Sequence, residues 1–184
     1  MDDLALARSL AAGDDEAFRQ LVDLETSSVF RTCYRILGRV DEAEDAAQET
    51  FVLAYRSLAS FRGDGRPGAW LTRIATRECW RRAAIRNRRN SATTSLDEVL
   101  IEMLPGAPSP LGDLVAAEER ARVRRAVEEL GEPYREVVAL RFFGELSLLD
   151  IAAATGRPEG TIKAQLHRGL ERLRRSMASE GRER

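Results

Sequence analysis

Arginine at helical spacing is the feature of this sequence that promises chemistry. Arg73, Arg77 and Arg81 recur at i, i+4 intervals, and Arg82, Arg86 and Arg89 form a second row beside them. Like charges at that spacing repel by about 0.2–0.5 kcal/mol per pair in an isolated helix, and Glu78 relieves only part of this. A helix that accepts such repulsion points to a polyanion, because guanidinium forks match phosphate oxygens and base edges. The plainer alternative is a solvated face in an arginine-rich chain, in which only Lys163 of the 29 basic residues is a lysine. Little else suits catalysis. One histidine, His167, and two cysteines far apart in the sequence, Cys33 and Cys79, cannot supply a usual four-ligand zinc site and leave little for nucleophile-and-base chemistry. The residues therefore predict a binding protein, not an enzyme, with no metal, no cofactor and no small-molecule substrate. The cysteines read as buried filler in a reducing cytoplasm.

The elements that carry these arginines must lie in a strongly segregated chain. The net charge of −1 over 184 residues conceals −6 in residues 1–60 and +7 in residues 61–90. With 43% hydrophobic and 32% charged residues the composition is that of a folded protein. No window approaches the roughly 18 apolar residues of a membrane span, and the opening Met1-Asp2-Asp3-Leu4-Ala5 is acidic where a secretory signal would be basic. Apolar residues repeat at helical spacing over residues 14–89 and again over 116–175. Between them, Asn90-Ser91-Ala92-Thr93-Thr94-Ser95 and Pro105-Gly106-Ala107-Pro108-Ser109-Pro110 are breakers, around an apolar patch at Val99-Leu100-Ile101. The expected fold is all-α: two small helical domains, 1–89 and 117–184, joined by a flexible linker over 90–116.

In the first block, Asp41-Glu42-Ala43-Glu44 predicts a helix start with Asp41 as the cap. Ala43, Ala47, Phe51, Ala54, Tyr55 and Leu58 would then share the core face, and Asp45, Gln48, Glu49, Val52 and Arg56 the opposite one. That second face is either solvated or, given Val52 within an acidic and amide stripe, a protein interface. A glycine-rich basic loop, Arg62-Gly63-Asp64-Gly65-Arg66-Pro67-Gly68, leads into the arginine helix, with Pro67 in its first turn and Trp70, Leu71, Ile74 and Ala75 as its core stripe.

In the second block, Pro133 opens a helix through Tyr134, Val137, Val138, Leu140 and Phe142, and Gly144 ends it. Ser147-Leu148-Leu149-Asp150 has the form of a capping box. After Thr155-Gly156, Pro158 opens a long helix with Ile162, Leu166, Leu170 and Leu173 inward and Arg157, Thr161, Ala164, His167 and Arg168 outward. This is helix-turn-helix spacing. Gly160 and Ala164 allow close approach to a groove, flanked by Lys163, Gln165 and Arg168. A bare helical hairpin is the alternative.

Asp45-Ala46-Ala47-Gln48-Glu49-Thr50-Phe51, with Tyr55, Phe61 and Trp70-Leu71-Thr72-Arg73-Ile74-Ala75, resembles the second conserved region of bacterial extracytoplasmic-function (ECF) sigma factors. The runs from Tyr134 to Arg141, Ser147 to Ala152 and Pro158 to Arg174 are similar to the fourth region of that family. The resemblance implies an alternative sigma factor, which directs RNA polymerase to promoters and helps to open the minus-ten element. Asp45, Gln48 and Glu49, together with Val52 on their face, would dock on the clamp helices of the largest polymerase subunit; the second-largest subunit would be a further partner. The minus-ten element would meet Arg62, Arg66, Trp70, Arg73, Arg77, Arg81 and Arg82. Matched positions give the minus-thirty-five element Arg141, Lys163, Ala164, His167 and Arg168, to which the outer face adds Arg157, Thr161 and Gln165. The sequence departs from the family at Pro67, where an aromatic is common, at Arg77 for asparagine, at Arg81 for aspartate, and at Gln165 for arginine. The resemblance also implies an anti-sigma factor, often membrane-bound, and a cytoplasmic, nucleoid-associated protein.

LuxR-type regulators carry a similar helix-turn-helix, but the acidic face and basic loop of the first block argue against them. A nuclease would need a close carboxylate cluster, and the acidic helix is explained by capping and docking. Geometry adds one expectation. Promoter elements two helical turns apart lie roughly 70 Å from each other, whereas a free coil of the linker's length spans about 30 Å and fully extended reaches roughly 90 Å. Core polymerase is expected to hold that linker stretched.

Overall fold

A computed structural model describes residues 3–92 and 110–180. Asp14 accepts hydrogen bonds from the amides of Glu16 and Ala17 and so starts α2 (Asp15–Leu37), which ends where Gly38 turns left-handed at φ 79°. A short helix that the periodicity did not suggest, α1 (Asp3–Ala11), precedes it and buries Leu6, Ala7 and Leu10. Helix α3 spans Val40–Arg56. Asp41 is not its cap, contrary to expectation. The helix begins two residues earlier, so Arg39 occupies the cap position and Asp41 lies in the first turn, ion-paired to Arg39 at 2.9 Å. An acid in the first turn is still favoured by the helix dipole.

A short 3₁₀ turn, Leu58–Ser60, and the glycine-rich loop lead to α4 (Pro67–Ala92), which starts at the proline as the sequence suggests. The second block holds α5 (Pro110–Glu128), α6 (Tyr134–Phe142), α7 (Leu148–Thr155) and α8 (Glu159–Glu180). All regular structure among the described residues is helical. The expected linker keeps helix at both ends, since α4 continues to Ala92 and α5 begins at Pro110; its centre, with the Val99-Leu100-Ile101 patch, lies outside the described residues.

Two apolar clusters follow from these helices. One joins α2, α3 and α4 around Leu21, Val29, Cys33, Ile36, Leu71 and Cys79. The other gathers Val137, Leu140, Leu146, Ile151 and Ile162 from α6, α7, α8 and the turn between them. Fully burying each such side chain contributes about 1.5–3 kcal/mol, and the first cluster extends into the second block through Val127, Leu130, Val138 and Ala139. The two blocks also touch elsewhere. Ala69 of α4 belongs to the second cluster, and the Trp80 and Phe143 rings pack 6.3 Å apart across the boundary.

The capping box of α7 forms as the sequence predicts. Ser147 Oγ accepts from the Asp150 amide at 3.1 Å, and the Asp150 carboxylate accepts from the Ser147 amide at 3.3 Å. Ser147→Ala should therefore lower stability by about 1 kcal/mol. A thermal melt that leaves Tm unchanged would contradict this role for the hydroxyl.

Candidate nucleic-acid and polymerase interfaces

Helix α3 separates its faces sharply. Ala43, Ala46, Ala47, Thr50 and Ala54 are buried, and Thr50 satisfies its hydroxyl on the Ala46 carbonyl at 2.7 Å. Opposite them Asp45, Gln48 and Val52 are exposed, Val52 to 42%, while Glu49 is half-buried. Tyr55, expected in the core, is exposed to 53%; its hydroxyl donates to Asp15, and its ring meets Phe18 edge-on at 5.2 Å. The tyrosine ring packs while its polar tip stays in water.

The arginines of α4 and its approach loop are mostly engaged within the chain. Arg66 donates to Asp3 at 2.9 Å. Glu78, 4% exposed, receives both Arg81 and Arg82, and Arg82 also reaches the Asp45 carbonyl at 3.4 Å. Arg86 donates to Glu42 at 2.8 Å. Burial pushes the Glu78 carboxyl up, but the hydrogen bonds and charges of Arg81 and Arg82 more than offset it and hold the group below its ordinary range. The like-charge repulsion read from the sequence is thus relieved by acids on other turns and other helices. Arg62 is exposed, and Trp70 is half-buried with its ring 4.9 Å from that of Phe61.

Arg73 and Arg77 are held differently. Both donate to Glu136 Oε1 of α6, at 3.0 and 3.1 Å, and Arg73 also donates to the Ala154 carbonyl near the end of α7 at 2.9 Å. The other oxygen of Glu136 accepts from Arg157, whose second arm donates to Gln165 at 2.8 Å. One carboxylate thus joins two arginines assigned to the minus-ten element and one assigned to the minus-thirty-five element. Burial would raise the Glu136 carboxyl, but the Arg73 hydrogen bond and the charges of Arg73, Arg157 and Arg77 outweigh it and keep it depressed.

The outer face of α8 is open. Thr161, Lys163, Ala164, His167 and Arg168 are exposed, and Ile162 beneath them is fully buried. Lys163 pairs along the helix with Glu159 at 2.7 Å, and His167 lies 3.9 Å from Glu171. Gly160 has open space around it, as a groove-facing position needs. Arg141 is exposed but donates to the Leu146 carbonyl at 3.1 Å, which ties it to the turn before α7.

Two family models match the two blocks: sigma-70 region 2 over residues 21–90 and sigma-70 region 4 over residues 120–173. The chain is 33% identical to the ECF RNA polymerase sigma factor SigW of Bacillus subtilis, over 92% of this chain and 94% of that protein. The chain belongs to the ECF sigma factors. It is an alternative sigma factor that directs RNA polymerase to promoters, and such factors are not enzymes. The RNA polymerase sigma-H factor of Pseudomonas aeruginosa is 32% identical over 95% of this chain and 93% of its own length. Among solved structures, CnrH in complex with the cytosolic domain of CnrY aligns with a TM-score of 0.59 at 25% identity, covering 96% of this chain and 97% of that one. RpoE in complex with the anti-sigma factor NepR from Bartonella quintana gives 0.53 at 27% identity, over 88% and 96%. No helix among the described residues of this sigma factor is long and apolar enough to cross a membrane.

Glu136 was not among the residues singled out from the sequence, although a signal for it existed. It lies four residues before Leu140 on a short helix whose Val137, Val138, Ala139 and Leu140 are all buried, so it shares the face of a core residue. A folded value below the ordinary 4.5 makes its stabilising effect complete above that range and lost as pH falls through the depressed value. Glu136→Gln should cost about 1–3 kcal/mol at neutral pH, and the gap in urea midpoint from the parent should narrow below pH 4.5. A gap that stays constant across the acid range would show that the carboxylate charge contributes nothing.

Proposed function

We propose that residues 1–89 act as the polymerase-docking and minus-ten unit, 90–116 as the linker, and 117–184 as the reader of the minus-thirty-five element. The observation that carries this is the second helix of the helix-turn-helix, α8, which presents Thr161, Lys163, Ala164, His167 and Arg168 together on an exposed face over a buried Ile162. A helix with small residues at its centre and cations at its flanks fits a major groove. Arg157, Gln165 and Arg141 stand at the edges of that surface.

On the first unit, Asp45, Gln48, Glu49 and Val52 form the surface for the polymerase clamp helices. The exposed valine among polar neighbours supports an interface there, because a purely solvated stripe gains nothing from it. Arg62, Arg66, Trp70, Arg73, Arg77, Arg81 and Arg82 form the minus-ten surface, where the region opens the duplex. Arginine at 77 and 81 gives this surface more phosphate-binding capacity than the family's asparagine and aspartate would. An anti-sigma factor is a further partner, since the sigma factor RpoE, 27% identical to this chain, is solved in complex with the anti-sigma factor NepR. The protein works in the cytoplasm at the nucleoid, and its regulator would set any attachment to the membrane.

Two variants test the two surfaces in one system. Glu49→Lys should lower affinity for core polymerase in a fluorescence titration while the circular dichroism spectrum stays unchanged. Arg168→Ala should keep core affinity and weaken upstream protection in footprints of the holoenzyme, by about 1–3 kcal/mol at one position if it touches a base. Unchanged core binding by Glu49→Lys removes the docking assignment, and an unchanged footprint with Arg168→Ala removes α8 as the reader.

A further inference from the structure

Gln165 reaches the upstream surface with one end of its carboxamide already committed. Arg157 Nη1 donates to Gln165 Oε1 at 2.8 Å, and Arg157 Nη2 donates to Glu136 Oε2. A guanidinium only donates, so the Gln165 atom that meets it is the carbonyl oxygen and not the NH2 group. Arg157 is itself well anchored. Its amide donates to the Ala152 carbonyl at 3.2 Å, just after Gly156 turns left-handed at φ 69°. Glu136, whose side chain is 11% exposed, stands among the buried residues of α6. All three residues belong to the second block, so the relay does not require α4, whose Arg73 and Arg77 share the same carboxylate. Thr161, Gln165 and Arg168 lie at i, i+4 and i+7 and form one stripe along α8, with Thr161 and Arg168 exposed and Gln165 half-buried between them.

We propose that Arg157 is a positioning residue that commits Gln165 to reading guanine in the minus-thirty-five element. This rests on the reading that α8 enters the major groove. A glutamine pairs bidentately with adenine only when its oxygen and its NH2 turn together to one base edge, accepting from N6 and donating to N7. With the oxygen turned to Arg157, the NH2 alone is left for the groove. Two N–H donors match the N7 and O6 acceptors of guanine, whereas at adenine they find N7 but face the N6 donor. Thymine offers a single O4 acceptor beside its methyl group, and cytosine opposes them with its N4 donor. The cation beside the carbonyl also polarises the carboxamide, which strengthens its N–H groups as donors. Arg157 thus serves DNA through Gln165 and not by touching a base.

The test uses the full chain with core polymerase and a promoter library randomised across the minus-thirty-five element, from which bound sequences are selected and counted. The parent holoenzyme should prefer guanine to adenine at one position, and Gln165→Ala should abolish that preference there alone. Arg157→Met frees the carboxamide to turn, and the guanine-to-adenine ratio at the same position should fall by about tenfold, the size of one good base contact. In a Gln165→Ala background, Arg157→Met should change that ratio no further, which separates positioning of Gln165 from general damage to the fold. If Arg157→Met does not fold, the parent and Gln165→Ala decide, since a glutamine with a free carboxamide selects adenine. An adenine preference at this position, a guanine preference untouched by Gln165→Ala, or an unchanged ratio in folded Arg157→Met would overturn the proposal. A parent with no base preference anywhere in the element would remove α8 as the reader, and the proposal with it; the Arg168→Ala footprint checks that premise separately.

Discussion

A carboxylate that is almost fully removed from water keeps its charge only if cations and hydrogen bonds replace the lost hydration, and Glu136 sets that requirement at the centre of this molecule. Its two oxygens are met by Arg73, Arg77 and Arg157, and those arginines come from opposite sides of the domain boundary. Much of the arrangement follows. The start of α6 must lie beside the middle of α4, which places Ala69 within the second core and Trp80 near Phe143. Arg73 then reaches the end of α7, where its cation complements the negative end of the helix dipole. Removing one partner would leave the others with uncompensated charge in a partly dry site, so the cluster behaves as a unit.

The same chemistry explains why side chains suited to DNA find partners within the chain. Guanidinium binds carboxylate and phosphate by similar forks, so residues suited to a promoter are equally suited to a buried acid of their own chain. In this protein the first unit is cationic around α4, and its arginines find acids on α1, α3, α4 and α6. The exposed face of α8 is the exception, since its cations point outward, with Lys163 held only by a neighbour one turn away. The two DNA surfaces therefore differ in availability. The downstream one is largely occupied from within, and the upstream one is largely free.

Much of this was legible in the sequence because it is local. Pro67 opens α4, Ser147 and Asp150 cap α7, Gly156 turns left-handed between the two helices of the helix-turn-helix, and Ile162 faces inward, each fixed by a few neighbouring residues. The family likewise follows from motifs, and the matched relatives agree with it. Asp41 was misread because an acid in the first turn and an acid at the cap look alike in sequence, and the helix starts two residues earlier. Helix α1 went unread because its nine residues form too short a window for periodicity. Glu136 and Arg35 escaped for a different reason. Their partners lie 63 and 108 positions away in the chain, and only the packing of one domain on the other brings them together. The arginine rows were read as repulsion awaiting a polyanion, whereas in the folded chain most of that repulsion is already answered by carboxylates.

Cys33 and Cys79 are both fully buried, so they leave exposed positions free for selective labelling. Donor and acceptor dyes on Ser27→Cys in α2 and Ala178→Cys in α8, both exposed sites, would report the distance between the domains in single molecules. The account predicts one high-transfer population for the free sigma factor and a shift to low transfer when core polymerase is added. A free protein that already shows low transfer would contradict the contact between the two blocks that Glu136 joins.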